Sequence, residues 1–227
     1  MTYFDARENE YGGIEVRGEA LPSSPDRFCR DLGEALRAWE HAGYKVAWLQ
    51  IPIARAALIP VAAEAGFHFH HTRPDYVMMV KALFADAFIP PYATHYVGAG
   101  GAVFNEQDEL LVVVEKLHIR TRPQFFKLPG GLVEEGEPIV QGVMREVYEE
   151  TGIRTRFHSL ITIRHSHHWK FDKSALYFIC RLDPLSSEIA IDEEEIAIAR
   201  WMPVQEFLNN PHVHPFNKFV IQAVLGR

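Results

Sequence analysis

The stretch GLVEEGEPIVQGVMREVYEETGI, Gly131 to Ile153, leaves little freedom in how it can fold. Proline suits the first turn of a helix and glycine stops one in a left-handed cap, so Pro138 and Gly152 bracket a helix that follows a loop. At about 100° per residue, Glu146, Glu149 and Glu150 fall within an arc of roughly 100° that also holds Ile139, Gly142 and Val143. A solvated helix would set its charges opposite the apolar stripe; here the acids continue it. Like charges gathered on that side destabilise a fold unless cations neutralise them, and hard carboxylate oxygens select magnesium or manganese. Arg145 stands four residues before Glu149, where a charge-assisted bond can hold that carboxylate, and Gly142 leaves room on the same face.

The rest of the 227 residues are organised in two parts. The first predicts a short strand at Gly13 to Val16 and a helix from about Pro25 to His41, capped by Ser24 and stopped by Gly43, with Phe28, Leu32, Ala35, Leu36 and Trp39 as its apolar stripe. A strand at Lys45 to Ile51, a helix around Ile53 to Ala65 and strands at Phe67 to His71 and Tyr76 to Lys81 complete an α/β unit. Pro90 and Pro91 mark a linker over about 84–95, which divides the chain into domains at 1–89 and 90–227 with the boundary near Ile89. Beyond it, Tyr96 to Phe104 and Leu110 to Glu115 read as two strands of a hairpin turned by Asn105 to Glu109. Further strands are expected at Phe157 to Arg164, Leu176 to Leu182 and Ala199 to Met202, with short helices after Pro203 and His214.

Bulk properties remove several function classes. A net charge of −7 argues against a long basic surface for a nucleic-acid backbone, though local phosphate pockets fit. The stretch Val46 to Ala65 contains Pro52, Arg55, Pro60 and Glu64, which break the pattern for a membrane span, and MTYFDARENE lacks the features of a secretory signal. Cys29 and Cys180 fit no zinc or redox spacing and read as reduced thiols, so a cytoplasmic protein is expected.

The glutamate-rich segment fits G-x5-E-x7-R-E-U-x-E-E-x-G-U, with U a bulky aliphatic residue, at Gly131, Glu137, Arg145, Glu146, Val147, Glu149, Glu150, Gly152 and Ile153. Matching nine such positions by chance in a chain of this length has a probability on the order of 10⁻⁷. With the LPGG turn at Leu128 to Gly131, this resembles the Nudix box, and the resemblance covers Tyr96 to about Leu225. It implies an α/β/α sandwich with a mixed sheet that hydrolyses a diphosphate linkage with Mg2+ or Mn2+. It implies Glu146, Glu149, Glu150 and the Gly130 carbonyl as metal ligands, Glu137 as a more peripheral acid, and Glu195, six residues before Trp201, as a loop acid serving as ligand or general base. Glu195 ends the run Asp192, Glu193, Glu194, Glu195, which also reads as a plain exposed charge cluster.

Trp39, Gly43, VAWLQIP, Gly66, Phe67 and FHHTRPDYVMM resemble the small, acetyltransferase-like pre-Nudix domain of a two-domain Nudix subfamily. No glycine-rich acetyl-coenzyme A loop accompanies it, so the first domain is expected to shape the substrate site or form a homodimer. The subfamily resemblance implies a small-molecule ADP-containing diphosphate such as ADP-ribose, NADH or a coenzyme A derivative. Signatures that would choose among these are missing: SQPWPFPxS is absent, the loop before LPGG fits the coenzyme A pattern poorly, and His167, His168 and Trp169 stand where many ADP-ribose hydrolases carry a proline. Arg120 and Arg122 are candidates to grip phosphate or ribose, and Trp169 to stack on a base. Histidines at His68, His70 and His71, at His165, His167 and His168, and at His212 and His214 invite zinc, but no spacing closes a ligand set. The rival from another class is a catalytically idle Nudix domain that binds a nucleotide as a regulatory or interaction module.

Overall fold

The computed structural model describes residues 4–226 and divides the chain into two units, Met1–Ala93 and Thr94–Arg227. The division falls in a stretch without regular structure that contains Pro90 and Pro91, beyond Ile89.

The first unit contains β1 (Ala6–Glu8), β2 (Gly13–Val16), α1 (Pro25–Ala42), β3 (Val46–Pro52), α2 (Ile59–Glu64), β4 (His68–Arg73) and β5 (Tyr76–Ala82). The Ser24 hydroxyl accepts the Arg27 N–H at 3.4 Å to start α1, and Gly43 ends it at φ 86°. Phe28, Leu32, Ala35 and Leu36 bury one face of α1 in a core shared with Val16, Leu49, Ile51 and Met79 of the five-stranded sheet, ordered β1-β2-β3-β5-β4. The expected helix from Ile53 to Ala65 is not continuous. Ile53–Leu58 is a 3-10 segment interrupted at Arg55 (φ −120°, ψ 26°), and only α2 is α-helical. Pro60 offers no N–H to a preceding turn, so the α-helix forms with proline inside its own first turn.

The second unit contains β6 (His95–Val103), β7 (Glu109–Glu115), β8 (Gly130–Leu132), α3 (Ile139–Thr151), β9 (Thr155–Ser166), β10 (Ser174–Pro184), β11 (Ile196–Pro203), α4 (Val204–Asn209) and α5 (Pro215–Val224). Four strands form a mixed sheet, β8-β6-β10-β9, in which β6 and β10 run parallel; β11 and β7 form a second, antiparallel pair. One core joins Val143 and Val147 of α3 to Ala99, Val103 and Leu182, and the other joins Phe207, Val220 and Ile221 of α4 and α5 to Val112, Val114 and Ile179. Helices therefore cover both sides of the strands, the expected α/β/α arrangement.

Three local expectations need correction. The strands flanking Asn105 to Glu109 are not hairpin partners: apart from a bridge between Phe104 and Leu110, β6 and β7 belong to different sheets. The turn, closed by Asn105 accepting the Glu109 N–H at 2.9 Å, carries the chain from one sheet to the other. The last strand starts at Ile196, so Trp201 lies inside it and Glu195 immediately precedes it. Pro138 is the residue before α3 (φ −65°, ψ 140°), with its carbonyl accepting from Gln141 and Gly142. Among the described residues no helix is long and apolar enough to cross a membrane.

Candidate active site

Strand β8, before α3, and the inner face of α3 bring backbone and carboxylates into one corner. Gly130 has φ 146°, and a Cβ there would overlap the Ala99 carbonyl and the Gly100 Cα, so only glycine lets β8 lie so close to β6. At Gly131 a Cβ would overlap the Glu146 carboxylate, which places that acid directly against the turn. The Gly130 N–H donates to Glu150 Oε2 at 2.7 Å. Glu150 is only 6% exposed, the one charged side chain fully buried among the described residues.

Lys127 completes this corner and carries no periodic or motif signal in the sequence. Its Nζ donates to Glu150 Oε1 and to the Gly130 carbonyl, each at 3.3 Å, and lies 2.7 Å from Glu115 Oε1. Burial raises the Glu150 pKa to about 7, against the opposing pull of Lys127 and the Gly130 N–H. Burial also works against the Lys127 charge, but Glu150 and Glu115 more than offset it and raise its pKa. Burial raises the Glu146 pKa as well, opposed by Arg145 and assisted by Glu149.

Arg145 does more than hold one acid. Its Nε and Nη2 donate to the two Glu137 oxygens at 2.9 Å, its Nη1 donates to Glu149 at 2.8 Å and Glu146 at 3.1 Å, and Nη2 also reaches the Leu132 carbonyl at 3.1 Å. The fork holds the Glu137 pKa down at about 2, with the Glu134 N–H helping. Glu137 in turn fills the space at Gly142: a Cβ there would meet its Oε2 at 2.9 Å. The helix ends at Gly152, φ 70°, whose N–H donates to Tyr148.

The sequence-assigned residues divide into two sets. Gly130, Arg145, Glu146, Glu149 and Glu150 gather around the C-terminal half and inner face of α3, with Glu149 the most exposed of the acids. Among the described residues no three His, Cys, Asp or Glu side chains already converge on one point, and Arg145 and Lys127 hold the α3 carboxylates in ion pairs. Glu195 is exposed; its carbonyl accepts the Lys116 N–H at 2.8 Å, and the next residue, Ile196, pairs with Glu115. The loop carrying Glu195 therefore meets the end of β7 beside the Glu115–Lys127–Glu150 chain. Arg120 and Arg122 are exposed in the loop after β7, Arg122 lying 5.6 Å from the Phe125 ring. Trp169 sits in the loop after β9, edge-on to Tyr96 with ring centres 5.3 Å apart.

Comparison with known proteins bears on the family and the fold. The profile of the Nudix hydrolase domain matches residues 4–83 and that of the NUDIX domain matches residues 94–223. Nudix hydrolase 8 of Arabidopsis thaliana is 42% identical over 214 residues, which span 93% of this chain and 58% of the relative. Nudix hydrolase 2 of the same plant is 38% identical, covering 95% of this chain and 77% of its own, and the human nucleoside diphosphate-linked moiety X motif 6 is 36% identical, covering 96% and 70%. The solved NUDIX domain of Shewanella oneidensis NrtR, complexed with ADP ribose, superposes with a TM-score of 0.50 at 16% identity over 60% of this chain and 90% of that one, a likeness of fold. The chain belongs to the Nudix hydrolase family.

Proposed function

We propose that the protein is a Mg2+-dependent hydrolase of the diphosphate linkage in a nucleoside diphosphate derivative, with an ADP-containing compound as substrate. The observation that carries this reading is the burial of Glu150 against the Gly130 turn, beside Glu146 and within reach of Lys127. A buried carboxylate destabilises a fold unless paired, and its place in a charged corner is explained by work on a ligand. The donors offered by Glu146, Glu149, Glu150 and the Gly130 carbonyl are all hard oxygens, which fits magnesium or manganese. Bound there, the ion supplies neutralisation of the diphosphate charge and activation of water.

The chain's own residues prepare that chemistry. Arg145 fixes Glu149 and Glu146 from one side, while Gly130 and Lys127 fix Glu150 from the other. Glu195, just before β11, serves as the base that accepts a proton from the attacking water. The water oxygen bonds to phosphorus as the bridging P–O bond breaks, giving two phosphate monoesters from an ADP derivative. Trp169 offers a face for the base, and Arg120 and Arg122 offer cations for phosphate or ribose. ADP ribose bound to the NUDIX domain of NrtR supports the substrate class. In the first unit, Phe69 and Phe88 are 63% and 65% exposed and favour self-association of this region, which light scattering on the full chain reads as a dimer mass or a monomer mass.

The deciding experiment presents purified protein and Mg2+ with ADP-ribose, NADH, coenzyme A, dinucleoside polyphosphates and nucleoside triphosphates. Cleavage of an ADP derivative to AMP, abolished by chelator and restored by Mg2+ or Mn2+, is the expected result. Binding of these compounds without cleavage by any of them under either metal identifies the idle regulatory module instead.

A further inference from the structure

We propose that His95, His165 and His167 form a site for a zinc-class transition-metal ion, separate from the carboxylate corner. His95 begins β6, whereas His165 lies near the end of β9, and β10 runs between them. The two residues stand far apart in sequence, so no spacing pattern announces the pair. The fold nevertheless sets their Nε2 atoms 3.0 Å apart, with ring centres 5.0 Å apart. Next to them the His167 ring centre lies 4.2 Å from that of His165.

Two imidazole lone pairs do not face each other at this distance without a positive charge or a shared proton between them. Nitrogen ligands of one tetrahedral zinc, each about 2.0–2.1 Å from the ion, stand roughly 3.3 Å apart, close to the separation found here. The outer nitrogens are already engaged: His95 Nδ1 lies 2.8 Å from the Thr94 hydroxyl and His167 Nδ1 lies 3.1 Å from the Ser174 hydroxyl. Such contacts orient the rings, and a hydroxyl can accept from Nδ1–H in the tautomer that leaves Nε2 as the ligating atom, as outer partners do for metal-bound histidine.

Only His95 and His165 are aimed at one point as the rings stand, since no three ligands converge among the described residues. His167 is exposed just beyond the end of β9, so a side-chain rotation that gives up its Ser174 contact brings it in as the third ligand. His168 is excluded, because its ring pairs with Asp172 at 2.9 Å. Imidazole donors select Zn2+, Cu2+ or Ni2+ over Mg2+, the reverse of the preference of the glutamates. An ion held here ties β6 to β9 across β10, at the root of the loop that carries Trp169.

The test titrates Zn2+ alone into the metal-stripped full chain, read with a chromophoric chelator, while excess Mg2+ occupies the carboxylates. One tight Zn2+ per chain is expected, weakened more than about tenfold in each of His95→Ala, His165→Ala and His167→Ala, as for loss of support to a metal ligand. His95→Gln, which keeps size and polarity, is expected to weaken binding equally. The double variant Glu146→Gln, Glu150→Gln is expected to bind Zn2+ as the wild type does. X-ray absorption should show imidazole scattering around the ion. Unchanged affinity in the histidine variants, loss only in the glutamate variant, or no Zn2+ bound at micromolar concentration overturns the site; in the last case the close nitrogens share a proton.

Discussion

Helices α1 and α3 are punctuated alike and used differently. α1 begins at Pro25 and α3 just after Pro138, and each stops at a glycine in the left-handed conformation, Gly43 or Gly152. On α1 the apolar stripe is buried and a typical acid, Asp31, is part of an exposed pair with Arg27 at 3.3 Å. On α3 the buried face includes Glu150, and Glu146 is half-buried beside it. Among the described residues the first unit buries no charged side chain, and the second buries one. Charges placed as on α1 contribute about 0.5 kcal/mol or less, whereas breaking a buried pair costs about 3–5 kcal/mol. A fold that keeps so costly a placement in one helix, and avoids it in the other, puts the proposed chemistry in the second unit.

The sharpest way to break that comparison is to neutralise one acid on each helix. Glu149→Gln or Glu150→Gln is expected to lower turnover by about 10²-fold or more, since each loses charge opposite the diphosphate. Asp31→Asn is expected to leave turnover within about twofold, because only a screened surface pair is lost. Steady-state kinetics on the substrate found in the screen checks both. Equal losses at Asp31 and Glu150 would mean that the charge placement carries no functional meaning.

The Glu195 loop gives a narrower effect within the second unit. Glu195→Gln is expected to depress turnover by about tenfold to a thousandfold, as for loss of a general base. Glu193→Gln and Glu194→Gln remove the same charge from the same segment and should each cost only a small, similar factor through the general field. Three indistinguishable variants would assign Glu195 to the solvated charge run and move the base elsewhere.

Magnesium should also separate the helices through stability. An ion bound only by the folded carboxylates adds about 2.7 kcal/mol at a hundredfold excess over its dissociation constant, seen as a higher melting temperature. Glu150→Gln should lose most of that gain, and Asp31→Asn should keep it. Calorimetry with and without Mg2+ reads the difference.

What the sequence made legible follows the reach of each signal. The caps of α1, the glycine stop of α3, the arc of Glu146, Glu149 and Glu150 and the closeness of Arg145 to Glu149 are local and recur in the structure. Strand pairing is not local: alternation marks β6 and β7 as strands but does not say that they enter different sheets. The same limit hid Lys127 and Glu115, which are ordinary residues until the fold brings Glu115 at the end of β7 and Lys127 in the turn before Gly130 to Glu150. It hid the meeting of His95 and His165 as well. Pro60 was visible, yet its cost to the Ile53 to Ala65 helix was settled by which turn could accommodate a missing N–H.

The smallest effect contrasts one glycine inside each helix. Gly33 in α1 has ordinary helical backbone, and a Cβ built on it meets nothing nearer than the end of Arg37 at 3.9 Å. Gly33→Ala should therefore stabilise the protein by about 0.5–1 kcal/mol, through helix propensity and a less flexible unfolded chain. Gly142 in α3 gains the same propensity, but its new Cβ would stand 2.9 Å from Glu137 Oε2 and 3.3 Å from Val133 Cγ2. Moving Glu137 loosens its two bonds to Arg145, the residue that also holds Glu146 and Glu149. Overpacking of this kind costs about 1–3 kcal/mol, more than the propensity returns, so Gly142→Ala should lower the melting temperature and turnover together. Denaturant titration of the two variants reads opposite signs if α3 is shaped around its acids. Two stabilising substitutions would show that Glu137 swings aside freely and that Arg145 holds the other glutamates without it.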